Sequence, residues 1–210
     1  MKIAVLGTGN VGSALGRRWA QGGHSVIFVS REPESDKVQA LLKTAGPNAC
    51  VAKEAREAVA SAEVVLLAIP WGVTLETLRS AGDLSGKIVV DATNPLTVQG
   101  GLALGFDTSG GEAVAALATG AQVVKAFNTT GAGNMADTHY GDQRPTMFIC
   151  GDNAAAKAVV NGLAEELGFE AIDAGALTMS RVLEPLTLLW LSLAYSQGLG
   201  PNIAFKLLRR

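Results

Sequence analysis

The chain has 210 residues, 48% of them apolar, enough for one α/β domain or one domain with a small appendage around a sizeable core. A formal charge of −2 and only 5% aromatic residues argue against a nucleic-acid footprint and against a platform for stacking bases. The two cysteines, Cys50 and Cys150, lie outside any C-x-x-C and read as buried, reduced thiols of a cytoplasmic protein. His24 and His139 lack partners at zinc-ligand spacing. Lys2 is followed by only four apolar residues before the first glycine, which is no secretory leader, and Leu186–Tyr195 is too short to span a bilayer.

Met1–Leu6 is a short apolar strand, and Gly7, Gly9 and Gly12 follow it as G-x-G-x-x-G. Val11, Leu15 and Trp19 then recur on one face of a helix over Val11–Gln21. His24 sits in a Gly-Gly-His turn and reads as structural, before a second strand at Ser25–Val29. Ser35–Ala45 is a helix ended by Gly46-Pro47, Ala49–Ala52 a strand and Lys53–Ala60 a short helix. Val64–Ile69 is an unbroken apolar run, the mark of a strand covered on both faces. Pro70-Trp71 breaks it, Thr74–Ser80 returns as helix, and Lys87–Asp91 is a strand stopped by Thr93-Asn94-Pro95. Residues 97–111 are glycine-rich and read as a mobile loop, followed by a helix at Glu112–Ala118 and a strand at Gln122–Phe127. Gly131–Tyr140 reads as irregular, Thr146–Cys150 as strand, Ala154–Leu167 as helix and Ala171–Asp173 as a last strand. From Leu177 through Trp190 to Leu208 the pattern is helical, interrupted at Gly198-Leu199-Gly200-Pro201.

This alternation predicts a doubly wound, mostly parallel α/β sheet of the Rossmann kind. Residues 1–174 would form it, and 175–210 would be a helical extension that closes the cleft or contacts a second copy in a homodimer. The three turn glycines serve different ends. Gly7 allows a tight turn, Gly9 the close approach of a pyrophosphate, and Gly12 the packing of helix on strand. Thr8, Asn10 and Val11 lie beside them, where helix amides hold phosphates. Strand two ends in Ser30-Arg31 rather than Asp or Glu, and a guanidinium suits a ribose 2′-phosphate, so NADP(H) is favoured over NAD. Lys37 could add charge, while Glu32 opposes it. An alternative is that Arg31 is a solvated loop residue.

Ligands of such sheets bind beyond the carboxyl ends of the strands. Those ends carry Ile69-Pro70-Trp71, Asn94-Pro95-Leu96 and Asn128-Thr129-Thr130, joined by Ser180, Arg181, Glu184 and Thr187 from the late helix. The set is rich in amides and apolar groups, with no Ser/His/Asp or Cys/His pattern and no paired carboxylates. Lys125, His139 and Tyr140 are the candidate proton donors for ketone reduction, and Lys125 reads equally as a packing or ion-pair residue. Hydride transfer between two cofactor rings needs no such donor, only positioning and exclusion of water. Arg181 could instead pair with Glu184, Thr187 could bond its own backbone, and Trp71 and Trp190 read as core or interface. Other readings of the chain are reduction of a flavin, ferric chelate or other small acceptor, and NADP sensing without catalysis.

The segments GTGNVGSAL, VSRE, LLAIPW, VVDATNPL, VVKAFNTTGAGNM and the tail from DAGALTMSRVLEPLT onward resemble the F420-dependent NADP oxidoreductases. These are relatives of pyrroline-5-carboxylate reductases and of the STEAP metalloreductase oxidoreductase domain. The resemblance spans essentially the whole chain. It implies a dimeric enzyme that passes hydride between NADP(H) and the deazaflavin coenzyme F420. It also implies cofactor contacts at Thr8, Asn10, Val11, Ser30, Arg31, Ile69 and Pro70. The deazaflavin side would be at Asn94, Pro95, Asn128, Arg181 and Thr187. The chain departs from the family pattern at Asn128 and Pro185, where members tend to carry His and Ser.

Overall fold

A computed structural model describes all 210 residues. The strands are β1 (Lys2–Leu6), β2 (Ser25–Val29), β3 (Ala49–Ala52), β4 (Val64–Leu67), β5 (Ile88–Asp91), β6 (Gln122–Lys125), β7 (Thr146–Gly151) and β8 (Glu170–Asp173). The helices are α1 (Asn10–Gln21), α2 (Asp36–Ala45), α3 (Ala55–Ser61), α4 (Trp71–Ser80), α5 (Gly110–Leu117), α6 (Ala132–Ala136), α7 (Ala154–Glu166) and α8 (Ser180–Leu191). One sheet runs in the order β3-β2-β1-β4-β5-β6-β7-β8. Every neighbouring pair is parallel except β6 and β7. The order reverses between β1 and β4, which opens a crevice at their carboxyl ends.

The all-apolar β4 is buried along its length because helices cover both faces of the sheet. One face packs against α1, α2 and α7, with Trp19, Phe127 and Phe169 meeting edge to face. Trp19 Nε1 donates to the Leu163 carbonyl at 3.1 Å, which ties α1 to α7. The other face packs against α3, α4 and α5. Gly16 lets α1 lie directly on β2, since a Cβ there would sit 2.5 Å from the Phe28 ring.

The structure corrects the sequence reading in several places. Cys50 is exposed on the edge strand β3, and only Cys150 is a buried thiol. The segment read as irregular contains the short helix α6. Residues 110 and 111 belong to α5 and are buried, so the glycine-rich segment is anchored at its far end. Its near end folds back through a Leu96–Leu102 bridge and an Ala103 N to Pro95 O bond. The tail beyond Gly198 is not helical. It runs extended, Phe205 O accepting from Thr146 N at 2.8 Å and Leu207 N donating to Thr146 Oγ1 at 3.0 Å. Its leucines imitate helical spacing, but Gly200-Pro201 stops helix propagation and Asn134 captures the Pro201 and Ile203 carbonyls.

Candidate active site

The turn after β1 is built as its glycines require. Gly7 has φ +116°, and a Cβ on it would lie 2.5 Å from the Ala68 carbonyl oxygen. A Cβ on Gly12 would lie 2.1 Å from Gly7 O, so α1 can approach the turn only with glycine there. Gly9 differs: nothing lies within 4 Å of its Cβ position, and the backbone faces open space. α1 starts beyond Gly9 with no side-chain cap and no acidic residue in its first turn. Its first amides therefore remain available to an anion.

The crevice is a cavity of about 640 Å³. Gly7, Thr8, Gly9, Ser30, Arg31, Lys37, Ile69 and Pro70 all line it, bringing the ends of β1, β2 and β4 together. Arg31 and Lys37 are exposed and take part in none of the protein's six ion pairs. Ser30 Oγ accepts from Glu32 N at 3.2 Å, which shapes the loop that carries Arg31. Glu32 and Glu76 line the same cavity; Glu76 was not among the residues read from sequence. Asn10 instead lines a neighbouring groove of about 490 Å³ beside α2 and α6, and Val11 packs on the core. The open Gly9, the uncapped α1 and the free cations fit a phosphorylated dinucleotide.

A second group assembles at the ends of β5 and β6. Asn94 Nδ2 donates to Asn128 O at 3.0 Å, and Asn128 Nδ2 donates to Asn94 Oδ1 at 3.0 Å. Asn128 Nδ2 also donates to Leu183 O of α8 at 2.9 Å, which fixes the sense of the amide because a carbonyl can only accept. Asn128 Oδ1 is then buried without a partner. Thr187 does not bond its own backbone; its hydroxyl lies 2.7 Å from Asn128 O and 2.9 Å from Asn94 Oδ1. Phe127, just before Asn128, holds φ +59°, an uncommon conformation for a bulky side chain. Core packing maintains it, and it redirects the chain as it leaves β6.

Lys125 is not a free proton donor. It is fully buried, with Nζ 2.9 Å from Asp91 Oδ2, 2.7 Å from Glu184 Oε1 and 2.6 Å from Thr93 O. Burial works against the ammonium, but the two carboxylates outweigh it and the Lys125 pKa moves up. Asp91 Oδ1 accepts from Thr93 N and Oγ1 at 2.9 and 2.7 Å. Glu184 accepts from the Gly110 and Gly111 amides at the start of α5, each at 2.9 Å. This cluster joins one carboxylate from β5 and one from α8 through a lysine, an ion cluster and not a carboxylate pair for acid–base work.

Arg181 pairs neither with Glu184 nor with the amide group around Asn94. It grips Glu112 of α5 through Nε at 2.8 Å and an outer nitrogen at 2.6 Å. That hydrogen bond holds the Glu112 carboxyl below its ordinary value and raises Arg181. Ser109 caps the start of α5, its hydroxyl accepting from Glu112 N at 3.2 Å and donating to Glu112 Oε2 at 2.7 Å, a signal legible as S-x-x-E. Nearby, burial pushes the Cys150 thiol up to about 11, with Ser180 Oγ at 3.4 Å. Tyr140 donates to Asn134 Oδ1 at 2.8 Å, His139 is exposed, and His24 meets Glu166 at 2.7 Å. Trp190 is buried and Trp71 packs on the core from α4.

A Rossmann-type sheet with these glycines and cations at its switch point fits a dinucleotide-binding protein, and its relatives make the chain an NADP-dependent oxidoreductase. The model of the family described as NADP oxidoreductase, coenzyme F420-dependent, matches residues 2–95. The F420-dependent NADP reductase of Methanocaldococcus jannaschii is 34% identical, over 97% of this chain and 98% of its own. The chain belongs to the F420-dependent NADP reductase family. It is also similar to metalloreductase STEAP3 of Rattus norvegicus, 34% identical over 89% of this chain, although the match spans only 36% of that relative's length. A crystal structure of an Arthrobacter protein superposes with a TM-score of 0.90 at 34% identity, covering 100% of both chains.

Proposed function

We propose that this protein passes hydride between NADP(H) and coenzyme F420. The carrying observation is the chemistry of the group at the ends of β5 and β6. It consists of amides and a hydroxyl from Asn94, Asn128 and Thr187 locked to one another and to α8, while the ionisable groups beneath it, Asp91, Lys125 and Glu184, are buried and paired with one another. Such a site orients rings and excludes water rather than transferring protons. Family membership and the likeness to the M. jannaschii reductase support the same reading.

When bound, NADPH supplies the hydride equivalent. The chain's own residues would hold it, with Gly9 and the α1 amides at the pyrophosphate, Ser30, Arg31 and Lys37 at the 2′-phosphate, and Ile69 and Pro70 along its length. Asn94, Pro95, Asn128 and Thr187 would form the acceptor wall. Arg181 would act there only by holding α5 through Glu112. In this reading residues 1–174 bind the dinucleotide and 175–210 close the site. Val182, Leu189, Tyr195 and Leu199 leave apolar surface exposed on the extension, which suits a homodimer in the cytoplasm. No helix is long and apolar enough to cross a membrane.

The test is NADPH oxidation with F420, FMN and a ferric chelate side by side. F420 turnover well above the other two is expected. Turnover of FMN or ferric chelate without F420 would replace the proposal with a flavin or metal reductase, the reading that the STEAP3 likeness favours.

A further inference from the structure

The Asp91–Lys125–Glu184 cluster has no evident part in binding NADP(H), and buried ion clusters of this kind add little net stability over apolar packing. Their best-attested use is to fix the register of packed elements. We infer that Glu184 is a positioning residue: it sets the height and rotation of α8 on the sheet, so that Thr187 completes the acceptor wall. The inference rests on the hydride-transfer reading above.

Glu184 is the cluster's sole member from α8, and its bonds are directional. Oε1 takes Lys125 Nζ at 2.7 Å and Gly111 N at 2.9 Å, and Oε2 takes Gly110 N at 2.9 Å. One strand and one helix start thus hold the same carboxylate. Two carboxylates against one ammonium leave an excess negative charge, which the α5 amides offset. Other bonds reach α8 near its surface or at its end, Arg181 to Glu112 and Asn128 Nδ2 to Leu183 O among them, but Glu184 alone ties the helix to a fully buried charge in the sheet. Pro185, next to Glu184, has no N–H to donate to Arg181 O, so the helix's own ladder is weakest where the cluster grips it.

Thr187 lies three residues beyond Glu184, on the same face of the helix. The cluster also controls what Thr187 meets. Lys125 holds Thr93 O, and Asp91 holds Thr93 N and Oγ1, so the residue before Asn94 is fixed from below. Both ends of the 2.9 Å Thr187–Asn94 bond therefore depend on one set of charges. A rotation by one residue, about 100°, would take Thr187 off the wall while leaving the Gly9 turn untouched.

The experiment compares wild type, E184Q and the charge-free triple variant D91N/K125M/E184Q, each with and without Thr187→Ala. NADPH Kd, F420 KM and kcat, and Tm are measured. The expected result for the triple variant is NADPH Kd within about twofold of wild type, with F420 KM up about tenfold and a lower Tm. Thr187→Ala should raise KM in wild type and add nothing in the triple variant, a non-additivity that lost stability alone does not produce. An unchanged F420 KM, or equal Thr187→Ala effects in both backgrounds, overturns the inference. Should the triple variant fail to fold, E184Q carries the same comparison. If wild type does not turn over F420, the function proposal falls, and amide exchange over residues 183–188 decides the positioning. Faster exchange in E184Q with unchanged β-strand protection supports it, and unchanged exchange overturns it.

Discussion

Alanine at Gly9 should separate nucleotide binding from folding, which alanine at its two neighbouring glycines cannot do. Gly9 has φ −74° and ψ −174°, ordinary extended backbone for any residue, and a Cβ there meets nothing within 4 Å. Loss of unfolded-state freedom favours Gly9→Ala by about 0.4–1 kcal/mol. Alanine is a poorer helix N-cap than glycine, which opposes it by a few tenths of a kcal/mol or more. Net stability should stay within about 1 kcal/mol of wild type, or roughly 2–4 °C in Tm for a chain of this size. The new methyl would occupy the space assigned above to the pyrophosphate beside the α1 amides. Losing one or two charge-assisted hydrogen bonds at about 1.5–3 kcal/mol each weakens NADPH binding by between about tenfold and about ten-thousandfold. Gly12→Ala behaves differently, because its methyl would lie 2.1 Å from Gly7 O and the turn itself must break. Calorimetry gives Tm, and quenching of intrinsic fluorescence or titration calorimetry gives Kd. NADPH affinity within twofold of wild type in Gly9→Ala would refute the assignment of this turn to the pyrophosphate.

Arg31→Ala should lower the NADPH/NADH affinity ratio by about tenfold to a hundredfold, the loss of one charge-assisted contact to phosphate; an unchanged ratio leaves Arg31 as a solvated loop residue. Of the two thiols, exposed Cys50 should react with a disulfide reagent at pH 8 and Cys150, held up to about 11 and buried, only after denaturation; two fast equivalents in the native protein would contradict this burial. The stability gap between wild type and Arg181→Ala should depend on pH in a definite sense. Arg181 depresses the folded Glu112 pKa, so its contribution is complete above the ordinary value of 4.5 and disappears as pH falls through the lower folded value. Urea titrations at pH 7, 5 and 3.5 should show the gap closing only below about pH 4.5, and a constant gap would remove the Arg181–Glu112 link as its source. Lys125→Met, alone, strands two buried carboxylates and should cost about 3–5 kcal/mol by the same measurement.

The crevice proposed for the dinucleotide was legible because its signals are local. Gly7, Gly9 and Gly12 sit within six residues, and strand alternation places Ser30-Arg31 at the next strand end. The same local logic named Asn94 and Asn128 at strand ends, and the structure joins them as a reciprocal amide pair. It failed for the tail beyond Gly198, where leucine spacing suggested helix and Thr146 and Asn134 capture the chain in extended form. It failed also for Cys50, whose strand is apolar enough to read as interior but lies at the sheet edge.

What the sequence determined by itself is the doubly wound fold and a preference for a phosphorylated ribose, because periodicity and glycine spacing act over a few residues. Only the tertiary structure decided the partners of Lys125, Arg181 and Glu184. Arg181 has Glu184 three residues away yet pairs with Glu112, 69 residues distant, and Glu184 takes Lys125 and the α5 amides instead. An exposed pair within one helix is worth only about 0.2–0.5 kcal/mol, whereas a buried carboxylate left without partners costs several times more. Burial of Glu184 between α5, β6 and α8 therefore selects the distant pairing.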